Sequence, residues 1–279
     1  MKKKIFAVAA ACLMLAFSAV MLAGCGSSSS SSKEKLVVGF DAAYPPYGYL
    51  VTDDGDGYQA SDGNKYTGFD LDLASAVCEK NGWELEVSPI DWDSKDALLG
   101  SGDITCIWNG FTYEGREDNY AFSGLYMQNK QVVVVRADSD IKKLSDLKGK
   151  NVITQKDSAA LDVLEGDQKS LADKFKKLET ISDYNNAFMQ LESGAVDAVA
   201  CDLSIAAYQI AANPDKYAQL DESLSSEHYA VGFAKDNQEM ADKVTDALKE
   251  LDKEGKVKEL CEKYADQGMD YANWCLEQD

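Results

Sequence analysis

A single histidine, His228, and two arginines, Arg116 and Arg136, are present in 279 residues. Catalysis or metal binding that needs several imidazoles is excluded by that count. No Cys-x-x-Cys pair occurs, and without histidine partners a zinc site is not expected. Positive charge is scarce too: 28 Lys and Arg stand against 48 Asp and Glu, a formal net charge of −20. A surface that acidic repels phosphate backbones, which argues against nucleic-acid binding. Beyond the N-terminal leader no segment approaches 18 apolar residues, so no second membrane span is expected.

What is present is enough to fold. Hydrophobic residues make up 45% of the chain and charged ones 27%, a balance that buries a core in one or two domains and excludes wholesale disorder. Lys2, Lys3 and Lys4 precede an apolar run, Ile5 to Leu22, that ends in small residues, the pattern of a secretory signal. Leu22-Ala23-Gly24-Cys25 resembles a bacterial lipobox, which implies a signal peptide over 1–24 and a lipid on Cys25. Six serines fill 27–32; unable to bury apolar surface, they read as a flexible tether over 25–32. Cleavage before Cys25 takes away three lysines and no acid, leaving 25 basic residues against 48 acidic ones, or −23. At ~0.8 kcal/mol per buried methylene, two or more acyl chains hold a soluble body at a membrane.

The rest alternates. Leu36 to Phe40 is an apolar, β-branched run stopped by Asp41 and Pro45-Pro46. Asp54-Gly55-Asp56-Gly57 shares the start of a calcium loop but lacks its third acid and closing Glu, and reads as a hairpin turn within 52–65. Phe69 to Asn81 has helical spacing, with Leu73, Ala74, Val77 and Cys78 on one face and Asn81-Gly82 as its stop. Strands follow at 84–90, 104–108 and 131–136, with a short helix at 94–99. The order restarts with strands at 150–154, 177–180 and 196–201 and helices at 158–165 and 185–192. A strand over 229–234 and helices over 239–252 and 257–264 close the chain. This order predicts two α/β units of parallel sheet covered by helices. Ligands of such units sit at the carboxyl ends of strands. Asp41, Asp91-Trp92, Asn109 to Thr112, Ser158 and Asp202 all fall there.

The stretches Val38 to Tyr47 (VGFDAAYPPY), Gly68 to Leu73 (GFDLDL), Gly102 to Ile104, Trp108 to Thr112 (WNGFT) with Arg116, Phe122-Ser123 with Tyr126, Leu147 to Lys150 (LKGK), and Gly194 to Ala198 (GAVDA) with Asp202 follow one another in family order. The chain thereby resembles the bacterial extracellular solute-binding proteins of family 3, the polar-amino-acid receptors of ABC importers. The resemblance implies a type II periplasmic-binding-protein-like fold, two α/β lobes joined by two hinge strands. Lobe 1 is expected at 33–128 plus 229–279 and lobe 2 at 129–228. The hinge is expected near Gln128-Asn129-Lys130 and Glu227-His228-Tyr229.

An α-amino acid needs a fork of donors for its carboxylate and an acid for its ammonium. Arg116 offers a planar guanidinium, or else a surface ion pair with Glu114 or Glu117. Thr112, Ser158 and the N–H of Ala159 complete the carboxylate site in this reading; Ser158 is otherwise an ordinary helix cap. Asp202, helped by the carbonyl of Gly110 beside Asn109, takes the ammonium, or caps the helix that follows. Tyr44 and Trp92 form aromatic walls, with Trp108 and Phe111 as further members or as core. Asp41 faces the side-chain end, which suggests a polar or cationic ligand, or holds the loop before Pro45.

Two departures from the family pattern stand out. The interval from Thr112 to Arg116 is one residue short, and Asp157 replaces the usual Gly before Ser158. The charge of Asp157 is unfavourable beside a carboxylate site unless it turns to solvent or pairs with Lys156.

The mechanism implied is capture and closure, with an ABC permease as partner, no cofactor, a monomeric body and membrane contact through the lipid alone. A cyclohexadienyl-dehydratase-like enzyme on this fold needs a general acid, for which the pocket positions offer no Glu or His. A chemosensory receptor uses the same closed form. Cys78, Cys106, Cys201, Cys261 and Cys275 are an odd set, so at least one is unpaired within the chain. Cys78 on the helix face and Cys106 in a strand read as small apolar residues, and a bridge between Cys261 and Cys275 would close a short C-terminal stretch.

Overall fold

The computed structural model describes residues 33–52 and 55–276; the expected signal peptide, Cys25 and serine tether lie outside the described residues. The chain opens with β1 (Lys35–Phe40), whose alternate faces are both covered, and a small antiparallel sheet of β2 (Ala43–Tyr44), β3 (Gly48–Leu50), β4 (Tyr58–Gln59) and β5 (Lys65–Thr67) in the order β2-β3-β5-β4. The turn that closes β4 onto β5 lies at 61–64, where Gly63 adopts φ 89° and Asn64 is held by Asp62. Asp56 and Gly57 instead lead from β3 into β4.

Helix α1 (Phe69–Asn81) ends at Gly82, whose φ of 71° lets its N–H close on Cys78 and Glu79. Phe69 and Leu71 are fully buried besides the expected face. The helix is packed on more than one side, which is why its sequence carries little amphipathic contrast. After it come β6 (Glu84–Pro89), α2 (Lys95–Ser101), β7 (Cys106–Ile107) and β8 (Ala121–Phe122). The strand expected over 104–108 is only two residues long, and Asn109, Gly110 and Thr112 beyond it line the cleft.

The chain then crosses to a second sheet through β9 (Met127–Arg136), which starts four residues before the expected position. That sheet is built from β10 (Asn151–Gln155), α3 (Ala159–Glu165), α4 (Lys169–Ala172), β11 (Lys177–Ile181), α5 (Tyr184–Ser193), β12 (Ala198–Asp202), α6 (Leu203–Ala212) and β13 (Tyr217–Gln219). Its strand order is β11-β10-β12-β9-β13, with β10 parallel to β11 and β12, and β9 antiparallel. The return strand β14 (Ser225–Tyr229) pairs antiparallel with β9, Glu227 opposite Asn129 and Tyr229 opposite Met127. The run 229–234 is therefore two strands: β14 ends at Tyr229 and β15 (Gly232–Phe233) joins the first sheet. That sheet reads β6-β1-β7-β15-β8.

Helices α7 (Gln238–Lys253) and α8 (Lys256–Lys263) pack on α1. Met240, Ala241, Val244, Ala247, Leu248 and Leu251 form the buried stripe of α7 at three- and four-residue intervals. Among the described residues no helix is long and apolar enough to cross a membrane. The two sheets, each with helices and a single pair of crossing strands, make the fold a two-lobe α/β architecture of type II.

Candidate functional site

Each strand that ends at the cleft delivers a polar group, because the residue after a strand is free of the ladder. Asp41 follows β1, Trp92 follows β6, Asn109 to Thr112 follow β7, Ser158 follows β10, and Asp202 closes β12. A small cavity lies between them, and nine of the eleven residues expected at the site line it: Tyr44, Trp92, Asn109, Gly110, Thr112, Arg116, Ser158, Ala159 and Asp202. The tenth lining residue is Gln155, not anticipated from the sequence. The cavity holds about 20 Å³, room for one water rather than an amino acid. Larger surface hollows lie elsewhere, at the back of the hinge and beside Tyr120.

Asp41 and Phe111 stand one contact behind the lining. The Asp41 carboxylate accepts from the N–H of Ala43 at 2.8 Å and from Gln155 Nε2 at 2.5 Å. It therefore holds its own loop and also reaches the second lobe. Burial pushes its carboxyl up to about 6, against the pull of those hydrogen bonds. Phe111 is fully buried, with the Arg116 guanidinium 4.9 Å from its ring centroid. Trp108 is likewise core.

Arg116 is buried and turns inward, away from Glu114 and Glu117. Its Nη2 donates to Asp162 Oδ2 of α3 at 3.0 Å and its Nη1 to the carbonyl of Thr112 at 3.3 Å. Glu114 instead meets His228 Nδ1 at 2.7 Å. The Ser158 hydroxyl is engaged as the cap of α3: it accepts from Leu161 N at 3.2 Å and donates to the carbonyl of Gln155 at 2.8 Å. Thr112 Oγ1 donates to Glu227 Oε1 at 3.0 Å.

Asp202 does not cap α6 with its side chain. Its Oδ1 accepts from Asn129 Nδ2 at 2.9 Å, Gln131 Nε2 at 2.6 Å and Tyr229 Oη at 3.0 Å. Burial raises its carboxyl above the usual range, opposed by hydrogen bonds from Tyr44, Gln131 and Tyr229. Glu227, also buried, is raised by the same cause and then by the charge of Asp202.

Gly110 must be glycine here. Its φ is 56°, its N–H donates to Asp70 Oδ2 at 2.7 Å, and a Cβ would meet the rings of Tyr229 and Tyr44 at 3.0 and 3.1 Å. Asp70 also accepts from Tyr126 Oη at 2.8 Å; burial pushes its carboxyl up to about 7.

The lobes touch across the cleft. Asp157 is exposed and, at φ 53°, is the one non-glycine residue with positive φ among those described. Its carbonyl accepts from Trp92 Nε1 at 3.2 Å and Lys95 Nζ at 3.4 Å. Lys156 pairs with Asp93 at 2.6 Å, not with Asp157. Lys95 is buried against Trp92, and that burial lowers its pKa.

Gln155 sits at a strand end and was reachable by the rule that found Ser158. Asn129, Gln131, Glu227 and Tyr229 carry no local signal, since only strand pairing gathers them. Among the described residues no three His, Cys, Asp or Glu converge as metal ligands. Cys261 and Cys275 are free thiols rather than a bridge, as are Cys78, Cys106 and Cys201.

Comparison with known proteins agrees with this fold. The family model described as "Bacterial extracellular solute-binding proteins, family 3" matches residues 36–267. The arginine-binding extracellular protein ArtP of Bacillus subtilis is 31% identical over 271 residues, 95% of this chain and 98% of its own length. A substrate-binding protein of an ABC uptake transporter from Streptococcus pneumoniae, solved with bound histidine, superposes with a TM-score of 0.77 at 31% identity, covering 85% of this chain and 94% of that one. An ancestral arginine-binding protein bound to arginine gives 0.73 at 33% identity over 84% and 99%. These are binding proteins, not enzymes, and so is this one: the chain belongs to the bacterial extracellular solute-binding proteins of family 3.

Proposed function

We propose that this protein captures a single free amino acid between its lobes and presents it, closed, to an ABC permease. The observation that carries the reading is the pairing of opposite charges on one cavity: Arg116 from the first lobe and Asp202 from the second. A zwitterion matches both at once, its carboxylate on the guanidinium and its ammonium on the acid. Asp162, 65% exposed in its side chain, shares the guanidinium with an incoming carboxylate, and the Ala159 N–H adds a donor. Tyr44 and Trp92 flank the side chain, with Asp41 and Gln155 at its far end; those two polar groups favour a polar or cationic ligand, in line with the arginine and histidine named for the relatives.

Entry requires the lobes to part, since the cavity is smaller than any amino acid. The ligand then shifts the population to the closed form by bridging both lobes. The proposed lobes are 33–128 plus 229–279 and 129–228, turning about β9 and β14. The body is placed outside the cytoplasm as a monomer, tied to the membrane by a lipid on Cys25. The test is thermal unfolding of the protein against each common amino acid. A ligand at 100 times its dissociation constant stabilises by about 2.7 kcal/mol. A shift with one or a few polar amino acids that disappears in Arg116→Ala supports the reading; no shift with any of them overturns it.

A further inference from the structure

At the hinge end of the cleft two acids face one another through a shared pair of amides. Asn129 Nδ2 lies 2.9 Å from Asp202 Oδ1 and 2.6 Å from Glu227 Oε1; Gln131 Nε2 lies 2.6 and 2.8 Å from the same two atoms. Tyr229 Oη donates to Asp202 and Thr112 Oγ1 to Glu227. Both acids are buried, at 4% and 3% exposure. Every donor is neutral, and among the described residues no Lys, Arg or His forms an ion pair with either acid.

The surroundings add no cation. Tyr44 of β2, Tyr184 of α5, Tyr229 of β14 and Cys201 of β12 keep their protons, because burial pushes each well up. Ser204 of α6 meets Tyr229 Oη. Lys130, between the two amides on β9, is exposed, and His228, next to Glu227 on β14, is taken by Glu114. Arg116 touches Thr112 only at its carbonyl and is paired with Asp162. Two ionised carboxylates bound to the same amides and this dry repel, with only neutral donors and no cation to offset the repulsion.

We infer that Asp202 and Glu227 act as one carboxyl pair that holds a proton in the empty cleft and gives it up to solvent when the ligand ammonium docks on Asp202. Glu227 is then a positioning residue of the ammonium site. The ammonium supplies the positive charge that the proton had supplied, so binding exchanges one for the other. The inference rests on the amino-acid reading above. The raised pKa of both acids, due first to burial, agrees with it. The pair titrates as a unit.

The experiment is calorimetric titration of the full chain in mild detergent with L-arginine, in buffers of low and high ionisation enthalpy. Near pH 6 the expected release is about one proton per ligand, falling toward none near pH 8, with affinity about tenfold tighter at the higher pH. Glu227→Gln keeps the accepting oxygen and is expected to abolish the release and to flatten the pH dependence to within about twofold. Difference infrared spectroscopy reads the same event without a variant, as loss of a protonated-carboxyl stretch on binding. Binding without proton release, or release undiminished in Glu227→Gln (which would assign it to Asp41 or Asp70), overturns the pair and leaves the amino-acid site standing. No heat with any common amino acid overturns the site reading, and the pair with it.

Discussion

The two ends of the cleft are built differently. At the hinge end, Asp202 is held by Asn129 and Gln131 of β9 and by Tyr229 of β14, all on the second sheet and its crossing strands. At the outer end, Arg116 of the first lobe meets Asp162 of the second. On the proposed lobes, opening keeps Asn129 and Gln131 with Asp202 on one sheet and breaks the Arg116–Asp162 pair. On the proposed reading, the hinge end is organised before a ligand arrives and the outer end is completed by closure. In that reading the ammonium is captured first and the carboxylate fastens the lobes.

The largest effect tests the organised end. Asp202→Asn removes the proposed buried, charge-assisted partner of the ammonium and is expected to weaken binding about a hundredfold, read by calorimetry. Arg116→Ala comes next, with at least about a tenfold loss; unchanged affinity would sink the carboxylate assignment. Gly110→Ala places a methyl against Tyr229 and Tyr44 in a left-handed backbone and is expected to lower stability by about 1–3 kcal/mol, measured by urea unfolding. If the protein tolerates it, the two tyrosines yield more than their packing implies. The smallest effect belongs to the rim: Lys156→Ala removes an exposed pair with Asp93 and is expected to change affinity by less than about twofold.

Burial raises acids beyond the hinge pair as well. Asp70 and Asp41 have carboxyls raised to about 7 and about 6. Across the range between the unfolded value and these, the folded chain holds protons that the unfolded chain has lost. Stability therefore falls as pH rises through that window. Thermal unfolding of the ligand-free protein is expected to show a higher Tm near pH 5.5 than near pH 8. A Tm that rises with pH would mean these acids are ionised in the folded state.

Much of the fold was legible because it is local. The apolar run Leu36 to Phe40 and the spacing of Met240 to Leu251 announce a strand and a helix by their own periods. The motif order carried the two-lobe fold, and strand-end position carried most of the cavity lining. Where the reading slipped, a neighbour elsewhere in the chain was responsible. The 104–108 strand shortens as the chain beyond Trp108 turns to set Asn109, Gly110 and Thr112 on the cleft. The 229–234 strand divides because β14 pairs with β9 and β15 with β7 and β8.

By itself the sequence determined the class of element at each place, the acidic character of the surface and the residue types available to hold a zwitterion. A strand's period and a missing histidine are properties of a segment or a count, and need no fold to be read. The tertiary structure alone decided who meets whom: Asp162 on Arg116, Gln155 on Asp41, and Glu227 beside Asp202. Those partners lie 46 or more residues apart in the two cross-lobe contacts. The acid pair exists because antiparallel pairing of β9 with β14 sets Glu227 opposite Asn129. Such contacts follow from register and from the crossing of two strands, which no local pattern encodes.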